Sequence, residues 1–203
     1  MEPYFIFSLI VLLFSVIIHE ISHGYAALAL GDRTAEYEGR LTINPIPHID
    51  PVGTLLLPAI SLMLGGFLFG WAKPVPFNPY NLRNQRWGEL LIAAAGPLSN
   101  LLLALIFGLF IRFYPGELGA SVAVMCQIIV LTNITLAIFN LIPIPPLDGS
   151  KILTALLPQK FMEWRRMIES FGFLGVIIFL VFLWQFFSPA IPWLFALITG
   201  VSI

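Results

Sequence analysis

Charge is what this sequence has least of. Only 10% of its 203 residues are Asp, Glu, Lys or Arg, against about 25% in a soluble domain. So few charges cannot cover a water-facing surface. With 59% hydrophobic residues and a mean hydropathy of +0.93, the solvent the chain fits is a bilayer. The net charge is −1 and there is no basic stripe, so no nucleic-acid partner is expected. The single cysteine, Cys126, excludes an intramolecular disulfide; inside an apolar run it reads as a small packing residue. The N-terminal stretch "MEPYFIFSLI" lacks a basic n-region and a small-residue cleavage site, so it does not read as a cleaved leader. Repeats and low-complexity tracts are absent as well.

What the chain has is apolar segments near the 20 residues that a spanning helix needs. Helices are expected at about Tyr4–Leu30, Glu89–Phe113 and 120–142, with two more at 171–187 and 190–203 split by Ser188-Pro189. Residues 52–71 carry no charge and are long enough to span, but they contain Pro58 and Gly65-Gly66, which also permit a re-entrant hairpin where protein shields the backbone. The polar stretch 32–50 reads as irregular or β-hairpin structure at the membrane surface or dipping into it, and 73–87 as a Pro/Asn-rich loop. Residues 159–169, "QKFMEWRRMIE", read as an amphipathic surface segment. The expected fold is all-α and polytopic, one domain over 1–203, with five to six spanning or re-entrant segments. A small β-hairpin or irregular element is expected near 32–50 and 73–80.

Against this apolar background stands "VIIHEISHG". His19 and His23 are four apart, so a helix puts both imidazoles on one face. His-Glu-x-x-His is the zinc-binding helix of metalloproteases, with the intervening glutamate, here Glu20, as general base. Two buried core histidines are the plainer reading, but ionisable groups within a membrane helix are costly and point to function. A catalytic zinc site wants three protein ligands. The third histidine, His48, lies in a polar segment and reads as a cap or surface residue. Asp148 follows a membrane helix in "PPLDG". The prolines stop that helix and Gly149 permits a tight turn. An Asp-Gly after prolines is by itself often only a turn; beside the histidine helix it is the best third ligand. The remaining acids sit in polar segments and read as solvated.

"HEISH" in one membrane helix, "GPLSN" in a second and "NLIPIPPLDG" at a third resemble, in that order, the site-2 protease family of intramembrane zinc metalloproteases. "GWAKPVPFNP" resembles the segment that family places between its first two core helices. The resemblance covers about residues 4–158 and is to a minimal form without accessory soluble domains. It implies one zinc ion held by His19, His23 and Asp148, with Glu20 as base. It also implies that Asn140, eight residues before the aspartate, steadies substrate or the oxyanion. Asn100 of "GPLSN" is a weaker substrate-side candidate that could instead bond across helices, and Gly96 and Pro97 look like helix-start and packing residues.

The implied activity is hydrolysis of peptide bonds within or near transmembrane segments of membrane-protein substrates, as in regulated intramembrane proteolysis. Such a substrate would have to unwind, and could pair edge-on with 32–50 or 73–80. Lys73, Arg83 and Arg86 in one loop and Lys151, Lys160, Arg165 and Arg166 in another place both on the cytoplasmic side. The site would then lie nearer that face of a multi-pass protein, in a prokaryotic cell membrane. Partners beyond substrate and lipid, a second copy or a regulatory membrane protein, stay open. Two other classes compete: a metal transporter, since intramembrane His and Asp also mark ion pathways, and a non-catalytic metal-binding relative. Glu20 between the histidines discriminates, because transport needs no base.

Overall fold

The computed structural model describes residues 4–56, 70–114, 118–157 and 178–202, with positions 60, 63, 116, 163, 172, 175 and 176. Helix α1, Phe5–Ala29, is an unbroken apolar run of mean hydropathy 2.3. At 1.5 Å per residue it is about 37 Å long, enough to cross a hydrocarbon core of about 30 Å. Its end is a Schellman turn. Gly31 takes a positive φ of 109°, its N–H donates to Leu28 O at 3.1 Å, and the Asp32 N–H donates to Ala27 O at 2.9 Å. A short helix, α2 at Thr34–Tyr37, follows.

Helix α3, Gln85–Phe113, runs back antiparallel to α1, since the Arg83 N–H donates to Leu30 O at the end of α1. Asn84 caps it, its side-chain oxygen accepting the Trp87 N–H at 3.2 Å. Helix α4, Ala120–Asn140, returns alongside, and Pro143, Pro145 and Pro146 then bar its continuation. The short α5, Asp148–Leu156, starts immediately after that turn. The C-terminal part has a π-helical turn at Phe179–Leu183, the one-turn α6 at Trp184–Phe187, and α7 at Ala190–Thr199.

Helix α3 is the hub, packing on α1, α4, α5 and α7. Ala104, Val130, Ile134, Phe195 and Ile198 form the core that joins α3, α4 and α7, while Ala27, Leu82 and Ile92 seal the end of α1 against the start of α3. The outward faces carry exposed Phe5, Ile6, Leu9 and Ile10 on α1 and Leu98, Leu102 and Ile106 on α3, an arrangement that suits lipid.

The all-helical expectation holds in its coarse form: α1, α3 and α4 are long and apolar enough to cross a membrane. The count of five to six spanning segments does not follow from the described residues. They contain no strand either. The 32–50 stretch instead forms α2 and a 3-10 turn at Ile46–His48, and 73–80 is irregular up to a 3-10 turn at Pro79–Asn81. Pro74, Pro76 and Pro79 remove ladder donors from the second stretch. The hairpin expected at Gly65-Gly66, and 159–169 apart from Glu163, lie outside the described residues.

Candidate metal centre

The i, i+4 spacing on α1 brings His19 and His23 edge to face, with ring centroids 4.7 Å apart. Asp148 reaches them from the first position of α5, 129 residues along the chain from His19. Gly149 makes that approach feasible. A Cβ there would collide with the carbonyl oxygens of Leu141 and Ile142, so no larger residue lets α5 start so close to the end of α4. Asp148 Oδ2 lies 3.0 Å from His19 Nε2 and 3.2 Å from His23 Nε2, and the two Nε2 atoms are 3.1 Å apart. Tetrahedral zinc with bonds of about 2.0–2.2 Å puts neighbouring ligand atoms about 3.3 Å apart. Two imidazole nitrogens and a carboxylate oxygen on one small triangle fit that ion.

The far side of each ring is also satisfied. His23 Nδ1 lies 2.6 Å from Ile92 O, and His19 Nδ1 lies 2.7 Å from Asn100 Oδ1. Both contacts call for hydrogen on Nδ1, which leaves the Nε2 lone pairs for the metal. Gly96 lies directly against them. A Cβ at 96 would be 2.5 Å from Nε2 of both histidines.

Glu20 stands beside the triangle; one ligand atom each from His19, Glu20 and His23 fit within 4.8 Å of one another. Its Oε2 accepts the Val75 N–H at 2.9 Å. The segment bearing Val75 is a strap tied down on both sides. Arg40 Nη2 donates to Lys73 O at 2.8 Å and to Pro74 O at 3.2 Å, and Asp32 Oδ2 accepts the Asn78 N–H at 2.7 Å. The strap roofs a cleft of about 130 Å³ bounded by the two histidines, Glu20, Asp148, Asn140 and Lys151.

The sequence matches the model of Peptidase family M50 over residues 7–123 and 116–183. The chain belongs to Peptidase family M50. Among relatives of this M50 peptidase is YwhC of Bacillus subtilis, 41% identical over 88% of this chain and 79% of the relative. Another is Rip2 of Mycolicibacterium smegmatis, 29% identical over 92% and 69%. A third is Rip2 of Mycobacterium tuberculosis strain H37Rv, 30% identical over 94% and 73%. All three carry the name of a zinc metalloprotease. No solved structure matches the chain significantly. The M50 peptidase is therefore a zinc metalloprotease, and its apolar helices make it a membrane protein.

Of the residues singled out from sequence, the M50 peptidase brings His19, Glu20, His23 and Asp148 together and sets Asn140 on the same cleft. Asn140 Nδ2 now donates back to Leu136 O at 3.0 Å. Asn100 does not face the cleft. It is fully buried behind His19, with its amide engaged by His19, Ser15 and Asn133. Gly96 and Pro97 lie in the middle of α3, not at its start.

Two further readings are corrected. His48 is buried, its Nε2 2.9 Å from Thr42 O, because the chain at Lys73 folds back onto it and donates to His48 O. Asp32 is not solvated. It is fully buried and accepts from Thr34, Asn78 and Asn81. Sequence reading also missed Arg40, Ser15 and Asn133. The one signal was polarity: Ser15 and Asn133 interrupt apolar helices, as His19 does.

Proposed function

We propose that this M50 peptidase cuts peptide bonds in the membrane-spanning segments of protein substrates, with the chemistry set within the bilayer. The observation that carries this is the position of the metal triangle. His19 and His23 lie inside α1, ten and six residues short of its end at Ala29, and their third partner Asp148 meets them there.

His19 Nε2, His23 Nε2 and Asp148 Oδ2 would hold the zinc. When bound, it supplies the Lewis acidity that makes amide hydrolysis accessible near neutral pH. Glu20 takes a proton from the attacking water and returns it to the leaving amine. Asn140, released from Leu136 O, donates its amide N–H to the carbonyl oxygen as charge builds there. The polar cleft has room for several waters. The scissile carbonyl must be freed from its own helix, because a helix hides its carbonyls in i to i+4 bonds.

Arg33, Arg40, Lys73, Arg83, Arg86 and Lys151 fall at the end of the bundle where α1 stops and α3 starts, and Arg112 at the opposite end. The positive-inside bias puts the first end in the cytoplasm, with the site nearer that face of a bacterial or archaeal membrane.

The test uses the purified chain in proteoliposomes with two labelled peptides of the same scissile sequence, one spanning the membrane and one water-soluble. Cleavage of the spanning peptide in preference to the soluble one is expected. Preference for the soluble peptide contradicts an intramembrane role.

A further inference from the structure

We propose that Asn133 on α4 is a positioning residue that fixes the tautomer of His19 through Asn100. The proposal rests on the zinc site of the preceding section but concerns residues that never touch the cleft.

His19 offers Nε2 to a metal only when its hydrogen sits on Nδ1. That hydrogen needs an acceptor, and Asn100 Oδ1 is 2.7 Å away. An amide, however, has an accepting end and a donating end of nearly the same shape. Turned end for end, Asn100 would present N–H to Nδ1 and favour hydrogen on Nε2, where the metal must bind. The site therefore depends on what holds the Asn100 amide in one sense.

Two contacts do so. Asn100 Nδ2 donates to Asn133 Oδ1 at 2.9 Å and, at a longer 3.3 Å, to the backbone carbonyl of Ser15. Asn133 is itself an amide whose sense must be fixed in turn. Its Nδ2 donates to Ile129 O at 2.9 Å and to Ser15 Oγ at 3.0 Å. A backbone carbonyl can only accept, so Ile129 O fixes the sense of Asn133, and through the shorter Asn133 bond that of Asn100, to which Ser15 O adds a longer contact. Polarity passes from a carbonyl on α4 through Asn133 and Asn100 to the ring of His19, and leaves the Nε2 lone pair free. Both asparagines are fully buried and Ser15 nearly so, so bulk water does not compete for these bonds. Interhelical adhesion alone would account for buried asparagines in contact. It does not account for every bond in the chain being donated in one sense, away from His19 Nδ1 and on through Asn100 and Asn133 to Ile129 O.

Zinc affinity, read by chelator competition on the full-length chain in detergent, tests this without reference to activity. Asn133→Leu keeps the branching at Cγ and removes the amide. Loss of a group that supports a metal-bound histidine typically costs about 10–100-fold in affinity, and a loss in that range is expected. Asn100→Asp puts an oxygen against Nδ1 whichever way the side chain turns. The double variant Asn100→Asp/Asn133→Leu is therefore expected to bind zinc as tightly as Asn100→Asp alone.

A folded Asn133→Leu with wild-type zinc affinity overturns the proposal. So does a loss that persists undiminished in the Asn100→Asp background, which would mark Asn133 as packing only. Should Asn133→Leu fail to fold, Ser15→Ala carries the test. It deletes one acceptor of the Asn133 amide, is expected to weaken zinc by a smaller factor, and with unchanged affinity overturns the proposal. A wild-type chain that binds zinc but cuts no membrane peptide would instead defeat the proposed function and leave this inference standing.

Discussion

Val75 donates its backbone N–H to Glu20 Oε2 at 2.9 Å, across 55 positions of sequence. The carboxylate assigned to proton transfer is thus aimed by a loop outside its own helix. Arg40 on one side and Asp32 on the other fasten that loop.

Arg40 is nearly fully buried, and its guanidinium is used on the carbonyls of Lys73 and Pro74. Hydrogen bonds to charged groups contribute about 1.5–3 kcal/mol, so Arg40→Met should lower stability by about 2 kcal/mol. The strap would then shift, and a shift of even 1 Å at a reacting group can cost up to about 100-fold in rate. We expect kcat to fall by about tenfold or more, with zinc content unchanged. Thermal unfolding in detergent, metal analysis and kinetics on one preparation check all three.

Asp32 gives the strap a pH dependence. Burial works against its ionisation, but hydrogen bonds from Thr34, Asn81 and Asn78 outweigh burial and hold its carboxyl below the usual carboxylate range. A depressed folded-state pKa adds stability above the unfolded value of about 3.9. That stability is lost as pH falls through the lower folded value. Asp32→Asn should therefore be less stable than wild type at neutral pH, with the gap narrowing as pH drops below about 4. Unfolding midpoints across that range check this; a gap of constant size would remove Asp32 as the cause.

Gly96 leaves open the space beside the two Nε2 atoms that would hold the metal. Because a Cβ there would lie 2.5 Å from both Nε2 atoms, Gly96→Ala should abolish stoichiometric zinc while α1, α3 and α4 still form. Metal analysis beside circular dichroism separates the two effects.

How much of this was legible in the sequence follows from the range of each interaction. The histidine pair is local, four residues apart on one helix, and so is the Asp-Gly turn after the prolines. Both could be read directly, as could the three long apolar helices. Asp32, Arg40 and His48 were misread or missed for one reason: each is buried by residues 71–81, which fold back onto 32–50. Short polar stretches carry no periodicity that would announce such a contact. A small β-hairpin or irregular element was expected near 73–80, and the prolines of the strap deny it a ladder. Asn100 was visible as a polar residue in an apolar helix. Which side of His19 it faces depends on the rotation of α3 about its axis, and that is set by packing on α1 and α4.

The central claim is that the triangle of His19, His23 and Asp148 holds zinc while Glu20 moves the proton. Glu20→Gln removes the base but keeps the shape and an oxygen for the Val75 N–H. Zinc stoichiometry and cleavage of a membrane-spanning peptide, measured on the same preparation, decide the matter. The account predicts full zinc and a rate lower by about 10²–10⁴-fold. Wild-type cleavage by the zinc-loaded variant, or loss of zinc with the glutamate, would contradict it.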